Sequence, residues 1–202
     1  MQVTQERIRI VILVGSVRPG NYTSMAAAIV ADELAKDPNV EVKVVHPEHY
    51  RLALPGMPAP DSRAAELRQL VAGAAAVVIA TPEYHGSFSA AIKLVIENLG
   101  FPSVLSGKPV ALLGVAAGSI GAIKSIEALR GVVSHIGALP LPMPVSLAHV
   151  QKLFGEDGTV RDAAAEKLLR QLAQSVLDYL RRHVCPAFTL EKLLRESQAA
   201  VS

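Results

Sequence analysis

Three observations predict a layered α/β fold built on a parallel sheet. Continuous apolar, β-branched runs alternate along the chain with segments of helical period. Glycine- and hydroxyl-rich stretches follow several of those runs. The length, 202 residues, suits one domain. A run with no polar alternation reads as a strand buried on both faces, and such strands need a helix layer on each side of the sheet.

The first strand is Ile10–Val14, the end of an apolar stretch from Ile8 that only Arg9 interrupts. A helix follows over Thr23–Lys36, stopping ahead of Asp37-Pro38, because a proline drives the preceding residue out of helical conformation. Val40–His46 is the second strand. Arg51–Pro60 is loop, since Pro55, Pro58 and Pro60 exclude regular structure. Asp61 or Ser62 can cap a helix that runs to about Ala72. Ala75–Ala80 is the third strand, ended by Pro82. The helix Ser89–Leu99 carries Ile92, Val95, Ile96 and Leu99 on one face. Pro109–Val115 is the fourth strand and Ile123–Ile136 the next helix. Ala138–Val145 holds three prolines, which makes the fifth strand short or places it at an edge. Asp162–His183 has the clearest helical stripe, with Leu168, Leu169, Leu172, Val176 and Leu180. Residues 1–187 read as the domain and 188–202 as a C-terminal extension, with a short helix at Leu190–Glu196.

Five such units fit a flavodoxin-like three-layer sandwich, a five-stranded parallel sheet in the order 2-1-3-4-5. Periodicity alone does not separate this order from the dinucleotide-binding one. In the flavodoxin-like order the ligand lies beyond the carboxyl ends of the strands, at the switch point between strands one and three.

Composition narrows the function. The net charge is only +2 with acids and bases interleaved, which argues against a nucleic-acid surface. The one cysteine, Cys185, excludes a disulfide framework and a multi-cysteine iron–sulfur or zinc site. The N-terminus has no apolar signal core, and the apolar runs are too short and too broken for a membrane span. The expectation is a soluble cytoplasmic protein.

The loop after the first strand, GSVRPGNYTS from Gly15 to Ser24, is the most specific segment. Gly15 and Gly20 permit a tight path and Pro19 stiffens it. Ser16, Asn21, Tyr22, Thr23 and Ser24 bring hydroxyls and an amide, and Arg18 brings a permanent charge with a fork of donors. The helix start adds free N–H groups and a partial positive charge. Together these residues form a phosphate site. A nucleoside-triphosphate P-loop would need a lysine before Ser or Thr, and a dinucleotide loop would need three closely spaced glycines. Neither is present. A terminal monophosphate, as in FMN, suits the hydroxyls and the single arginine. A plain strand–helix turn with an N-cap would use many of the same residue types.

The loops after strands three and four share this character. TPEYHGSFSAAIK, from Thr81 to Lys93, brings the planar faces of Tyr84 and His85 beside Gly86. VAAGSIGA, from Val115 to Ala122, sets Gly118 and Gly121 around Ser119. Here a resemblance takes hold. GSVRPGNYT resembles the flavin-phosphate loop of the NADPH-dependent FMN reductase family, close to G-S-x-R-x-x-S-x-N. PEYHGSFSAAIK resembles that family's second signature, P-E-Y-N-x-S-x-x-x-x-L-K. The resemblance extends from the first strand through the fifth. It implies a flavodoxin-like fold, non-covalent FMN, NADPH as electron donor, and homodimers or homotetramers.

Carried onto this sequence, the resemblance gives the FMN phosphate to Ser16, Arg18, Asn21 and Thr23, helped by the Tyr22 backbone. Asn21 stands where the family has serine and Thr23 where it often has asparagine. Pro82, Glu83, Tyr84, His85 and Gly86 would line the isoalloxazine mainly through backbone N–H groups, with His85 in place of the usual asparagine. Gly118 and Ser119 would close the other side of the ring. The implied chemistry is hydride transfer from NADPH to FMN, then electron transfer to a quinone, azo compound, metal oxyanion or free flavin, by a ping-pong route. No catalytic acid, base or metal site is implied; Arg18 is the candidate to serve the phosphates of both nucleotides, and no dedicated arginine is singled out for the donor. Two rivals remain: an electron-transfer or flavin-binding module without its own NADPH oxidation, and a flavin-free protein on the same fold. The first rival would be acidic to meet basic partners, and this chain is slightly basic. The apolar helix Ser89–Leu99 and the segment Phe188–Gln198 are the candidate contacts between subunits.

Overall fold

The computed structural model describes residues 7–186. The expected helix at Leu190–Glu196, the contact segment Phe188–Gln198 and the extension 188–202 lie outside the described residues.

Strand β1 (Ile8–Val14) is flanked by β2 (Val40–Val45) and β3 (Ala76–Tyr84), both parallel to it. Strand β5 (Pro109–Val115) lies parallel to β3 on its other side. The fifth position is shared by two short strands, β6 (Leu139–Pro140) and β7 (Val145–Leu147), which pair with the two halves of β5. A two-residue strand, β4 (Ser87–Phe88), turns back antiparallel onto the end of β3. The sheet order β2-β1-β3-β5-β6 is the predicted 2-1-3-4-5 order with the hairpin strand β4 left out of the count.

Side chains leave successive strand positions on opposite faces, so β1 feeds two cores. Ile10, Ile12 and Val14 pack with helix α1 (Tyr22–Ala35) and helix α6 (Ala163–Tyr179) on one face. Val11 and Leu13 pack with α2 (Ala64–Ala72), α3 (Ala90–Asn98) and α4 (Ile123–His135) on the other. Ala26 and Ala27, both fully buried, give α1 a flat face toward the sheet.

Four expectations need correction. Pro82 does not end the third strand, which runs on to Tyr84. Proline is tolerated there because β1 stops at Val14, paired with Ala80, so the missing Pro82 N–H removes no bond on that side. The fifth strand does lie at an edge, but its prolines split it, and its second half reaches Leu147. Helix α6 gives way at Leu180 to a π turn, Leu180–Val184. Leu168 leaves the helix stripe and is 45% exposed, because the buried line runs through Ala165, Leu169, Leu172 and Val176. Two further short elements fall between the expected ones, a 3-10 turn at Pro47–Tyr50 and helix α5 (Val150–Leu153).

Candidate functional site

The carboxyl ends of β1, β3 and β5 meet at one cleft of about 470 Å³, a size that suits a small-molecule ligand. Gly15 makes the meeting close. A Cβ at this position would stand 2.5 Å from Ile92 Cγ1 and 2.9 Å from the Ala80 carbonyl oxygen, well inside contact distance. The glycine also donates its N–H to that oxygen at 2.7 Å, so the phosphate-type loop starts hard against β3.

Beyond Gly15 the loop bends into α1. Asn21 is the helix cap: its side-chain oxygen accepts from the Ser24 N–H at 2.8 Å, and its amide donates to the Arg18 carbonyl at 2.6 Å. The Asn21 side chain is therefore engaged in shaping the loop. The N–H groups of Tyr22 and Thr23 precede the first intrahelical bond and have no partner within the helix. Thr23 is 1% exposed and Ser16 3% exposed, and both border the cleft. The Ser16 hydroxyl is a buried oxygen without a hydrogen-bond partner among the described residues. Buried polar atoms are rarely left so. The Arg18 guanidinium lies over the Tyr84 ring, 4.8 Å from its centroid, and joins the β1 loop to the β3 loop across the cleft.

The β3 side is a tight hairpin. His85 and Gly86 both take left-handed backbone conformations, with φ of 51° and 74°, as a two-residue turn of this type demands. Thr81 braces the hairpin from within: its hydroxyl accepts from the Ser89 N–H and donates to the Pro82 carbonyl. Ser89 in turn caps α3 by accepting from the Ile92 N–H. The Glu83 carboxylate accepts from the Ser125 N–H at 3.0 Å, at the start of α4. It thus fixes the hairpin to α4, where a negative charge is favoured.

Eight of the residues singled out from the sequence border this cleft: Ser16, Arg18, Asn21, Tyr22, Thr23, Pro82, Glu83 and Tyr84. His85 and Gly86 sit exposed at the hairpin tip, and Gly118 and Ser119 are exposed in the loop after β5; none of the four lines the cleft wall. On that side the wall is formed by Val115, Ala116 and Ala117. Two wall residues, Val150 and Gln151, went unnoticed in the sequence. They arrive there because the segment after β7 is zipped to the segment after β5. The Ala116 N–H donates to Leu147, the Val150 N–H to Ala116, and the Gln151 side chain to Ala117. The available signal was their position immediately after the fifth strand.

The site fits a bound phosphomonoester. Among the described residues it offers an unpartnered buried hydroxyl, a buried threonine, two helix N–H groups with no partner within the helix, and an arginine without a carboxylate partner. Among the described residues no group of histidine, cysteine, aspartate and glutamate is placed to hold a metal ion, and no helix is long and apolar enough to cross a membrane.

Comparison with known proteins gives the chain a family and a fold. The family of NADPH-dependent FMN reductases matches residues 8–152. An NAD(P)H-dependent FMN reductase of Pseudomonas aeruginosa is 28% identical over 184 residues, covering 87% of this chain and 96% of that protein. An NADPH azoreductase of a Bacillus species is 30% identical over 161 residues, covering 74% of this chain and 84% of its own. Among solved structures, the flavoenzyme NAD(P)H:(acceptor) oxidoreductase of Paracoccus denitrificans superposes with a TM-score of 0.70 at 26% identity, covering 87% of this chain and 98% of the other.

Proposed function

The chain belongs to the NADPH-dependent FMN reductase family and is an FMN oxidoreductase that takes electrons from NAD(P)H; from that premise we propose that it holds FMN in the cleft described above and delivers electrons there to small aromatic acceptors of the azo and quinone type. Held there by the phosphate-loop residues, FMN would supply the hydride-accepting and electron-donating chemistry between donor and acceptor.

The observation that carries the reading is the Ser16 hydroxyl, buried with no partner at the mouth of α1. A phosphate oxygen is what this hydroxyl lacks. Ser16, Thr23 and the N–H groups of Tyr22 and Thr23 would bind the phosphate, and Arg18 would neutralise its charge while stacked on Tyr84. The Asn21 side chain, engaged as the cap, holds these donors in place rather than reaching the ligand. Pro82, Glu83 and Tyr84 on one side and Ala116 and Ala117 on the other would flank the ring. Glu83 orients the hairpin through Ser125. His85 belongs to the turn that aims it, and Gly86, Gly118 and Ser119 are exposed in the loops beyond the cleft wall.

Donor and acceptor share one open cleft, so NAD(P)⁺ leaves before the acceptor binds. Initial-rate plots at several donor concentrations should then be parallel lines; intersecting lines would rule out the ping-pong order. The azoreductase among the relatives supports an azo acceptor. A homodimer is part of the reading. A groove of about 660 Å³ between α3 and α4, beside the fully exposed Phe101, offers the apolar surface for it. A cytoplasmic setting, where NAD(P)H is at hand, completes it.

The direct test is anaerobic reduction. Purified protein is loaded with FMN, oxygen is removed, NADPH or NADH is added, and flavin absorbance is followed. Rapid bleaching is the expected result. Bound flavin that bleaches with neither donor would instead favour an electron-transfer module, and failure to bind FMN would overturn the assignment of the cleft.

A further inference from the structure

A second cavity, of about 440 Å³, lies behind the first. The two share Gly20, Tyr22 and Gln151 as walls, so they adjoin across the Tyr22 side chain. Phe154, Glu156 and Arg161 close its far side. These residues belong to a hairpin between α5 and α6 that nothing in the flavin reading uses.

The hairpin is firmly built. Phe154 and Val160 form an antiparallel bridge, and the Gly155 N–H donates to the Thr159 carbonyl at 2.7 Å. Asp157 accepts from both the N–H and the hydroxyl of Thr159. The Arg161 N–H donates to the Leu153 carbonyl at 2.7 Å, which fixes the base of its side chain. Gly155 leaves room for that side chain: a Cβ there would stand 3.2 Å from Arg161 Nε. The Tyr22 and Phe154 side chains both line the cavity, their ring centroids 6.2 Å apart and their planes tilted by 32°.

Charge makes this cavity informative. Arg9, Arg63, Arg170 and Arg181 each pair with a carboxylate at 3.0 Å or less. Arg161, like Arg18, has no carboxylate within ion-pair distance among the described residues. The groups facing it are Glu156 on the cavity wall and Asp157, whose carboxyl is held below the usual carboxylate range first by its Thr159 hydrogen bonds and also by the Arg161 charge. A nicotinamide donor stretched from the flavin cleft must place its adenosine half in a neighbouring space. This cavity adjoins the cleft, has an aromatic flank for a base, and holds an arginine without an ion pair.

Resting on the proposed function, we propose that the cavity behind Tyr22 takes the adenosine half of the nicotinamide donor, with Arg161 binding the phosphate on its ribose and Glu156 opposing it. Donor preference is then set here, outside the flavin site. Arg161 favours the 2′-phosphate of NADPH through a forked charge-assisted contact. Glu156 weakens that preference by like-charge repulsion.

Equilibrium titration of the FMN-loaded protein with adenosine 2′,5′-bisphosphate tests this without turnover, with 5′-AMP as the comparison. The bisphosphate should bind more tightly than 5′-AMP and leave FMN in place. Arg161→Ala should weaken it about tenfold or more, Arg161→Lys should restore part of the loss, and Glu156→Gln should tighten it several-fold. FMN affinity should be unchanged in all three variants, which also reports that they fold. Displacement of FMN by the bisphosphate, equal affinity for 5′-AMP, or indifference to Arg161→Ala would each overturn the assignment. If FMN itself does not bind, the underlying flavin reading has failed instead.

Discussion

Single residues at the cleft carry opposite demands from folding and binding, and this makes them testable. The unpartnered Ser16 hydroxyl is a cost in the ligand-free protein. Ser16→Ala should therefore leave ligand-free stability unchanged or raise it by up to about 1 kcal/mol, while weakening FMN binding by about 1 kcal/mol or more. Thermal unfolding and a fluorescence titration with FMN measure the two signs; parallel losses in both would mean that the hydroxyl serves the fold. Arg18→Ala should weaken FMN by about 1.5–3 kcal/mol, since it removes a charge-assisted contact; unchanged affinity would remove Arg18 from the site. His85 illustrates a residue whose place in a motif was legible and whose task was not. The sequence marked it as a flat side chain near the ring. With φ at 51°, it occupies the left-handed turn position that asparagine adopts readily, which accounts for asparagine in the family signature. His85→Asn or His85→Gly should keep stability, whereas His85→Val should lose about 1–2 kcal/mol in denaturant unfolding.

At the scale of elements, what could be read from the sequence was whatever depends on local pattern. Buried strands announced themselves as unbroken apolar runs, and α3 as Ile92, Val95, Ile96 and Leu99 on one face. The divided fifth strand, the approach of Gln151 to Ala117 and the hairpin beyond Pro82 depend on which strand ends first and on contacts between distant segments. No local pattern encodes those. The same holds for the joint between α1 and α6. Glu33, on α1, accepts from Lys36 on its own helix and from Gln174 and Arg170 on α6. Arg170 also reaches Asp32 and Glu166. The Lys36 ammonium first, then Gln174 and Arg170, outweigh burial and hold the Glu33 carboxyl at about 2, below its ordinary 4.5. A carboxylate depressed in the folded state stabilises fully above its unfolded pKa and less as pH falls toward its folded one. The contribution of Glu33 should therefore be intact above about pH 4.5 and fade between there and about pH 2. Melting curves from neutral pH down to about pH 3 should show a shallower acid decline for Glu33→Gln, which starts from a lower melting temperature at neutral pH; identical slopes would mean that the network does not couple protonation to folding.

The whole molecule presents a ligand-sized cleft at the strand ends and an apolar groove on the α3–α4 face. The cleft lies at the carboxyl ends of the strands. The α3–α4 face lies to the side, and its groove runs past Ile96, Val132 and Ile136 to Phe101, whose side chain is wholly exposed. Leu54 and Met57, each more than half exposed, project from the neighbouring loop, which the Asn98 amide ties to α3 through the Ala53 carbonyl. An aromatic knob beside an apolar groove is self-complementary about a two-fold axis: each copy can lend Phe101 to the other's groove. Lys93 and Glu97 on the groove wall pair with each other on one helix, so these two charges offset one another. Phe101→Glu places a charge where the partner's apolar wall would lie. It should convert a dimer in sedimentation analysis to a monomer while FMN affinity stays within about twofold, because Phe101 lies outside the cleft. A wild-type monomer at micromolar concentration would dismiss the dimer outright. A variant that stays dimeric would move the contact to another face.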